Sequence, residues 1–322
     1  MKPIAIAFSD LHLNDWKQFN QDDKRLKTQL EVLTEIEDKS EELKVPILFC
    51  GDLFHTDKQL SNNIINKTFP TLYDRFTGKG QNFYAISGNH DLDKFNSRLN
   101  PANSYLNVFD LICPKFCCLD WEFTMLGEYN LFGIPFLDDN NEMEVELKRL
   151  KAITPKGNKK RILMIHTILP GAKDNDGRDY TPLVEGVTDM GKFFEGFDLV
   201  LCGHIHKPMP LSKKVIQLGA PLQYRISDIN AKLGYWIIYE DLSIEFARLE
   251  GYPEYKFYVS EDEKEEDGNY WVKIDELEEK SMEEGTYETF DSYDKKKSII
   301  QKYCELHSIN KVKESIMLKY LG

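Results

Sequence analysis

Apolar residues along this chain gather in short runs, and each run stops at a small cluster of polar side chains. Pro3–Phe8 is apolar throughout, which predicts a strand buried on both faces. It opens into the loop Ser9-Asp10-Leu11-His12-Leu13. From about Asp22 to Leu43, the residues Leu26, Leu30, Leu33, Ile36 and Leu43 recur at helical spacing with charge opposite them, the pattern of a helix facing a core. Val45–Cys50 is a second strand and runs into Gly51-Asp52-Leu53-Phe54-His55. A helix is predicted over Gln59–Phe76, with a kink at Pro70. Gln81–Ile86 is a third strand, ending in Ser87-Gly88-Asn89-His90-Asp91, a loop that also reads as a turn with Asn89 and Asp91 capping the backbone.

The stretch 92–115 is polar and then weakly helical. Phe116–Leu126 and Tyr129–Phe136 alternate around Gly127-Glu128, predicting an antiparallel hairpin. Glu142–Leu150 reads as a short helix, and Arg161–Ile165 as a strand ending in His166. A long loop, 167–188, precedes the strand Phe197–Cys202, which ends in Gly203-His204-Ile205-His206. Short strands follow at Lys214–Leu218, Tyr235–Tyr239 and Ser243–Leu249, with Gly219-Ala220-Pro221 after the first. The acidic run Glu261–Asp267 separates two further strand-like pieces, Tyr255–Val259 and Tyr270–Ile274. Tyr293 to Tyr320 carries two short amphipathic helices, which either dock a partner or pack on their own domain.

A chain of 322 residues can hold one large core and a smaller domain. No apolar run reaches the length of a membrane span, and Met1-Lys2-Pro3 leads straight into a core strand without a signal peptide. Six cysteines without paired C-x-x-C spacing fit buried thiols in a reduced, cytoplasmic chain. The net charge of −13 argues against passive nucleic-acid binding, which needs local Lys and Arg, unless bound cations reverse the sign at one spot.

The loop residues form a constellation: Asp10, His12, Asp52, Asn89, His90, His166, His204 and His206. Six of the 7 histidines, His55 included, lie at strand ends, which in a layered α/β protein share one edge of the sheet. Carboxylate, amide and imidazole make a mixed nitrogen and oxygen shell, better suited to Mn, Fe or Zn than to Mg. No cysteine joins the set, so it is not a structural zinc site. Eight candidates exceed one ion and suit two sharing a carboxylate, an arrangement that activates water and clamps the attacking and leaving oxygens of an in-line phosphoryl displacement.

This series (D-x-H, G-D, G-N-H-D, a lone H, then G-H-I-H) resembles the motif set of the calcineurin-like metallophosphoesterases and spans residues 10–206. Phe8-Ser9-Asp10-Leu11-His12-Leu13, Gly51-Asp52-Leu53-Phe54-His55, Gly203-His204-Ile205-His206-Lys207-Pro208 and Gly219-Ala220-Pro221 resemble the DNA double-strand-break repair nucleases of the SbcD type and their phage recombination-endonuclease relatives. The protein-phosphatase branch differs, with G-D-x-x-D-R-G and G-N-H-E.

The resemblance implies a four-layer α/β/β/α sandwich over residues 1–249, a short capping segment of α+β type over 250–290, and C-terminal helices over 291–322. It implies that Asp10, His12 and His206 hold one ion, that Asp52 bridges, and that Asn89, His166 and His204 hold the other. His90 is then the catalytic acid, and His55 a second catalytic histidine in support. It implies two Mn²⁺ ions, with Mg²⁺, Fe²⁺ or Zn²⁺ as alternatives. It further implies a homodimer formed through 59–76 and 92–111, and an SbcC-type coiled-coil ATPase on the C-terminal helices. Lys58, Lys94, Arg98, Lys173, Arg178, Lys207 and Arg225 stand in or beside the motif loops as candidate DNA contacts. Two rival readings are a phosphodiesterase for cyclic nucleotides or small diesters, and a non-catalytic, metal-bound scaffold at DNA ends.

Overall fold

The computed structural model describes residues 1–15, 24–55, 60–78, 80–92, 104–137, 140–153, 159–174, 177, 179–183, 187, 189–224, 228, 231–258, 263 and 269–273. By its internal contacts the chain divides into two compact units, Met1–Tyr252 and Pro253–Gly322.

In the first unit, β1 (Pro3–Phe8), β2 (Ile47–Phe49), β3 (Phe83–Ala85) and β4 (Phe116–Cys118) run parallel in one sheet. They are linked by α1 (Lys24–Leu43), α2 (Asn62–Thr77) and α3 (Asn107–Ile112). The second sheet holds β5 (Phe123–Leu126), β6 (Tyr129–Ile134), β7 (Lys160–His166), β8 (Leu199–Gly203), β9 (Met209–Pro210) and β10 (Val215–Gln217), in the order β5-β6-β7-β8-β10-β9. Here α4 (Asn140–Ile153) and the short α5 (Met190–Phe193) are the connecting helices. The chain then returns to the first sheet. There β11 (Gly234–Tyr239) lies antiparallel to β1, and β12 (Ile244–Arg248) closes the edge.

Alternation along the strands sorts side chains into layers. From β1, Ala5 and Ala7 point into the space between the sheets, with Leu48, Ile162, Met164, Leu201 and Trp236. Ile6 and Phe8 point the other way, onto Leu33 and Ile36 of α1 and Phe76 of α2. On the far side, Leu163 and Ile165 meet Met143, Leu147 and Leu150 of α4. The result is the expected α/β/β/α sandwich, with β1 buried on both faces.

Three expectations change. Phe116–Leu126 is not one arm of a hairpin: Phe116–Cys118 joins the first sheet, and only Phe123–Leu126 pairs with Tyr129–Ile134. Buried Asp120 holds the corner between them by accepting the Ser87 N–H at 2.8 Å and the Ser87 hydroxyl at 2.6 Å. The core-facing side of α1 is not purely apolar, since Arg25, Gln29 and Glu37 are buried on it among the leucines. The second helix begins at Asn62, where the Ser61 hydroxyl accepts the Ile64 N–H at 3.1 Å, and it continues through Pro70.

In the second unit, β13 (Tyr255–Tyr258) and β14 (Tyr270–Lys273) pair in parallel, at the two predicted strand-like pieces. The predicted C-terminal helices lie outside the described residues.

Candidate metal centre

Every residue of the constellation sits at or just past the C-terminal end of a parallel strand. Asp10 and His12 follow β1, Asp52 follows β2, and Asn89 and His90 follow β3. His166 ends β7, while His204 and His206 follow β8. The loops turn at once, so several ligand candidates adopt a left-handed backbone: Asp10 (φ 58°), His12 (φ 49°), Asp52 (φ 60°) and His204 (φ 92°). This conformation is costly for residues with a side chain, and strain of this kind concentrates at functional sites.

Local hydrogen bonds hold these turns. The buried Asp91 carboxylate accepts the N–H groups of Asp52 (2.7 Å), Gly88 (3.0 Å) and Phe54 (3.0 Å). The backbone-capping reading of the third motif is therefore right for Asp91, while Asn89 and His90 face the centre. Burial, with the nearby Asp52 charge, raises the Asp91 pKa to about 7. On α1, Gln29 donates to the carbonyls of Leu11 (2.9 Å) and His12 (2.5 Å). At Gly51 (φ +93°) and Gly88, a Cβ would fall 2.4 Å from His166 Nδ1 and 2.0 Å from Asp52 Oδ1, so both loops need glycine to close in.

Two groups of donor atoms that include a carboxylate result. Asp10, His12 and His206 converge in one, Asp52, His166 and His204 in the other, and His12 also belongs to a third, all-imidazole group with His55 and His90. His12 Nε2 lies 3.2 Å from His206 Nε2 and 3.7 Å from Asp10 Oδ1. His204 Nδ1 lies 3.2 Å from His166 Nε2 and 2.9 Å from Asn89 Oδ1. Asp52 Oδ2 stands between the groups, 3.3 Å from His166 Nε2 and 3.7 Å from His12 Nε2, while its Oδ1 accepts the His90 N–H at 2.8 Å. The His90 and His55 rings stack with centroids 4.0 Å apart, and His55 Nδ1 is 3.2 Å from His12 Nδ1.

The electrostatics suit cations. Burial holds His12 and His204 well below the ordinary imidazole value, so both are neutral. Burial also raises Asp10, partly offset by His166 and His206. Burial opposes the ionisation of Asp52, but His166 and His90 outweigh it and hold this carboxyl well below its usual range. His166 rises to about 9: burial lowers it and the Asp52 carboxylate more than restores it. Both shifts share one cause, the close approach of Asp52 Oδ2 to His166 Nε2 at 3.3 Å. Asp10 Oδ1 is buried with no hydrogen-bond partner among the described residues. His166 gives its Nδ1 proton to the Cys50 carbonyl (2.7 Å), which turns Nε2 inward. An orphaned carboxylate oxygen and facing imidazole nitrogens fit a pair of divalent cations, and the two clusters can hold a dinuclear metal site.

Of the candidate DNA contacts, Lys58, Lys94, Arg98, Arg178 and Arg225 lie outside the described residues. Lys173 is paired with Asp179 at 3.0 Å, and Lys207 donates to the Asp174 carbonyl at 3.0 Å. The motif reading passed over Gln29, Tyr224 and Asp228. Tyr224 stacks on the His12 ring at 4.2 Å, and Asp228 accepts from His206 Nδ1 at 2.9 Å. The one signal for Tyr224 and Asp228 in the sequence is that they follow Gly219-Ala220-Pro221 closely.

Residues 5–208 match the family model described as calcineurin-like phosphoesterase. The SbcD component of nuclease SbcCD from Staphylococcus epidermidis is 33% identical over 84 residues, which are 25% of this chain and 22% of that protein. One solved structure aligns with 77% of this chain and 99% of its own at 12% identity and a TM-score of 0.49. A provisionally named 5′-nucleotidase from Staphylococcus aureus, in complex with alpha-ketoglutarate, aligns with 76% of this chain and 52% of its own at 16% identity and a TM-score of 0.44.

Proposed function

The chain belongs to the calcineurin-like phosphoesterase family, and from that premise we propose that it is a manganese-dependent DNA exo/endonuclease subunit of an SbcCD-type complex. The observation that carries the reading is the gathering of six donor residues from both sheets around Asp52, whose Oδ2 lies 3.3 Å from His166 Nε2 and 3.7 Å from His12 Nε2, with His90 and His55 stacked beside them. The local similarity to the SbcD component of nuclease SbcCD supports the choice of DNA among phosphodiesters.

In this reading Asp10, His12 and His206 would hold one ion, Asn89, His166 and His204 the other, and Asp52 would serve both. The chemistry such ions would supply is polarisation of the phosphate and activation of water for in-line attack. Asp91 and the His90 N–H fix Asp52 between them. The His90 ring faces the substrate and delivers a proton to the leaving oxygen, and His55 supports that ring from behind. Because His90 holds Asp52 through its backbone, His90→Asn is expected to keep both ions and lose most phosphodiester cleavage. Normal cutting by this variant would remove the acid role.

We further assign a homodimer surface to α2 and α3, which pack together through Phe69, Phe76 and Phe109. Their outer sides expose Ile65, Tyr73, Val108, Leu111 and Ile112. Residues 250–290 serve as a short cap and 291–322 as the dock for a coiled-coil ATPase, in a reduced, DNA-containing compartment.

A second reading, a hydrolase of small phosphodiesters, draws support from the net charge of −13 and from the internal partners of Lys173 and Lys207. The deciding experiment is hydrolysis of linear duplex, single-stranded DNA and a chromogenic diester with Mn²⁺ or Mg²⁺, using Asp52→Ala as control. DNA cutting that needs manganese and is lost in the control is the expected result. Diester turnover without DNA cutting, with the ATPase present, would favour the second reading; no turnover of any substrate would overturn both.

A further inference from the structure

The segment that follows the last motif reaches back into the centre. Asp228 is buried, and its Oδ2 lies 2.9 Å from His206 Nδ1 and 2.9 Å from the Tyr224 N–H. The Tyr224 ring lies nearly flat on His12, at 26° and 4.2 Å, and meets His206 edge-on at 5.6 Å. Arg25 of α1 donates to the neighbouring Gln223 carbonyl. Tyr224 and Asp228 therefore stand behind both imidazoles of the Asp10, His12 and His206 group, with Gln223 tied to α1.

We propose that Asp228 is the positioning residue of this half of the centre, resting on the reading that these three residues hold an ion. A neutral imidazole carries its proton on either ring nitrogen. A carboxylate oxygen beside Nδ1 only accepts, so the proton sits on Nδ1 and the Nε2 lone pair points at His12 and Asp10. The carboxylate also fixes the ring plane and makes Nε2 a stronger donor. The other half is built differently. His166 gives its Nδ1 proton to a neutral carbonyl, that of Cys50. The two ions are thus held unequally, and loss of Asp228 weakens one of them alone.

The test uses the full chain stripped of metal, as wild type, Asp228→Asn, Asp228→Ala and Asp228→Glu, with thermal unfolding to confirm that each is folded. Long-range ¹H–¹⁵N spectra of the histidine rings, with His206→Gln to assign the peak, read the tautomer without any ion. The expected wild-type state is protonated at Nδ1, and the Asn and Ala variants are expected to lose that preference. Calorimetric titration with Mn²⁺ should show two ions in the wild type. In the Asn and Ala variants one Kd should weaken by roughly 10–100-fold with the other unchanged, and Asp228→Glu should recover most of the loss. An unchanged tautomer together with wild-type affinity at both sites in Asp228→Asn would overturn the proposal. A tautomer shift as expected, in a wild type that takes up fewer than two ions, would uphold the hold on His206 and overturn the two-ion reading instead.

Discussion

Gly88 shows how little room single residues leave at this centre. A Cβ there would lie 2.0 Å from Asp52 Oδ1 and 2.5 Å from the Asp52 backbone nitrogen, and a backbone atom cannot step aside as a flexible side chain can. Gly88→Ala is therefore expected to cost about 1–3 kcal/mol of stability and to push Asp52 out from between the two donor groups. Chemical denaturation and metal content measured on the same samples would check this; wild-type values for both would contradict it. The same carboxylate depends on Asp91, three positions further on, which spends its oxygens on backbone N–H groups. Within one short loop, Asn89 and His90 point inward and Asp91 points at the backbone. Residue type alone does not separate these jobs, because a buried aspartate serves either. Repetition of ligand types at five strand ends made the centre legible, and no repetition marks Asp228 or Gln29. Each is a lone polar residue whose role depends on what the fold places beside it.

At the scale of elements, the strands buried on both faces were the most legible, because uniform apolar runs have few other uses in a layered protein. The corner at Asp120 was not legible, since alternation says which side of a strand is apolar but not which sheet it joins. The buried polar positions of α1 were hidden for a similar reason: a charged position looks solvated until a neighbour covers it. Glu37, one of them, has a measurable consequence. It lies 3.5 Å from Arg75 Nε, and its Oε2 has no hydrogen-bond partner among the described residues. Burial raises its pKa from 4.5 to about 8, and Arg75 offsets this only in part. The unfolded chain releases this proton near pH 4.5 and the folded chain near 8. Between those values the unfolded state binds fewer protons, so stability falls as pH rises, by up to about 1.4 kcal/mol per pH unit. Below the window both states are protonated, and above it both are ionised, so the slope vanishes. Glu37→Gln removes the slope. Denaturation midpoints across roughly pH 5 to 8 should show the variant gaining on the wild type as pH rises, and parallel curves would refute the assignment.

For the whole molecule, the exposed apolar residues of α2 and α3 bear on assembly. Replacing Tyr73 and Leu111 together with glutamate is expected to leave the fold intact, since both are surface residues at 46% and 83% exposure, and to give a monomer by light scattering. A dimer that persists would place the interface elsewhere. Removing residues 291–322 is expected to abolish co-elution with a coiled-coil ATPase and to spare hydrolysis of a small diester; unchanged co-elution would dismiss the docking role. The strand order of the first sheet has one more consequence, and it concerns time. Between β2 and β11, the central strand β1 takes one neighbour from residues 47–49 and the other from residues 234–239. Translation proceeds at roughly 5–20 residues per second, so β1 leaves the ribosome roughly ten to fifty seconds before its second partner. Throughout that interval the open flank of an all-apolar strand is a template for any passing strand, including another nascent copy on the same message. The first strand of this protein therefore waits longest for its second neighbour in this sheet, and the cell must guard it until the chain is nearly three quarters made.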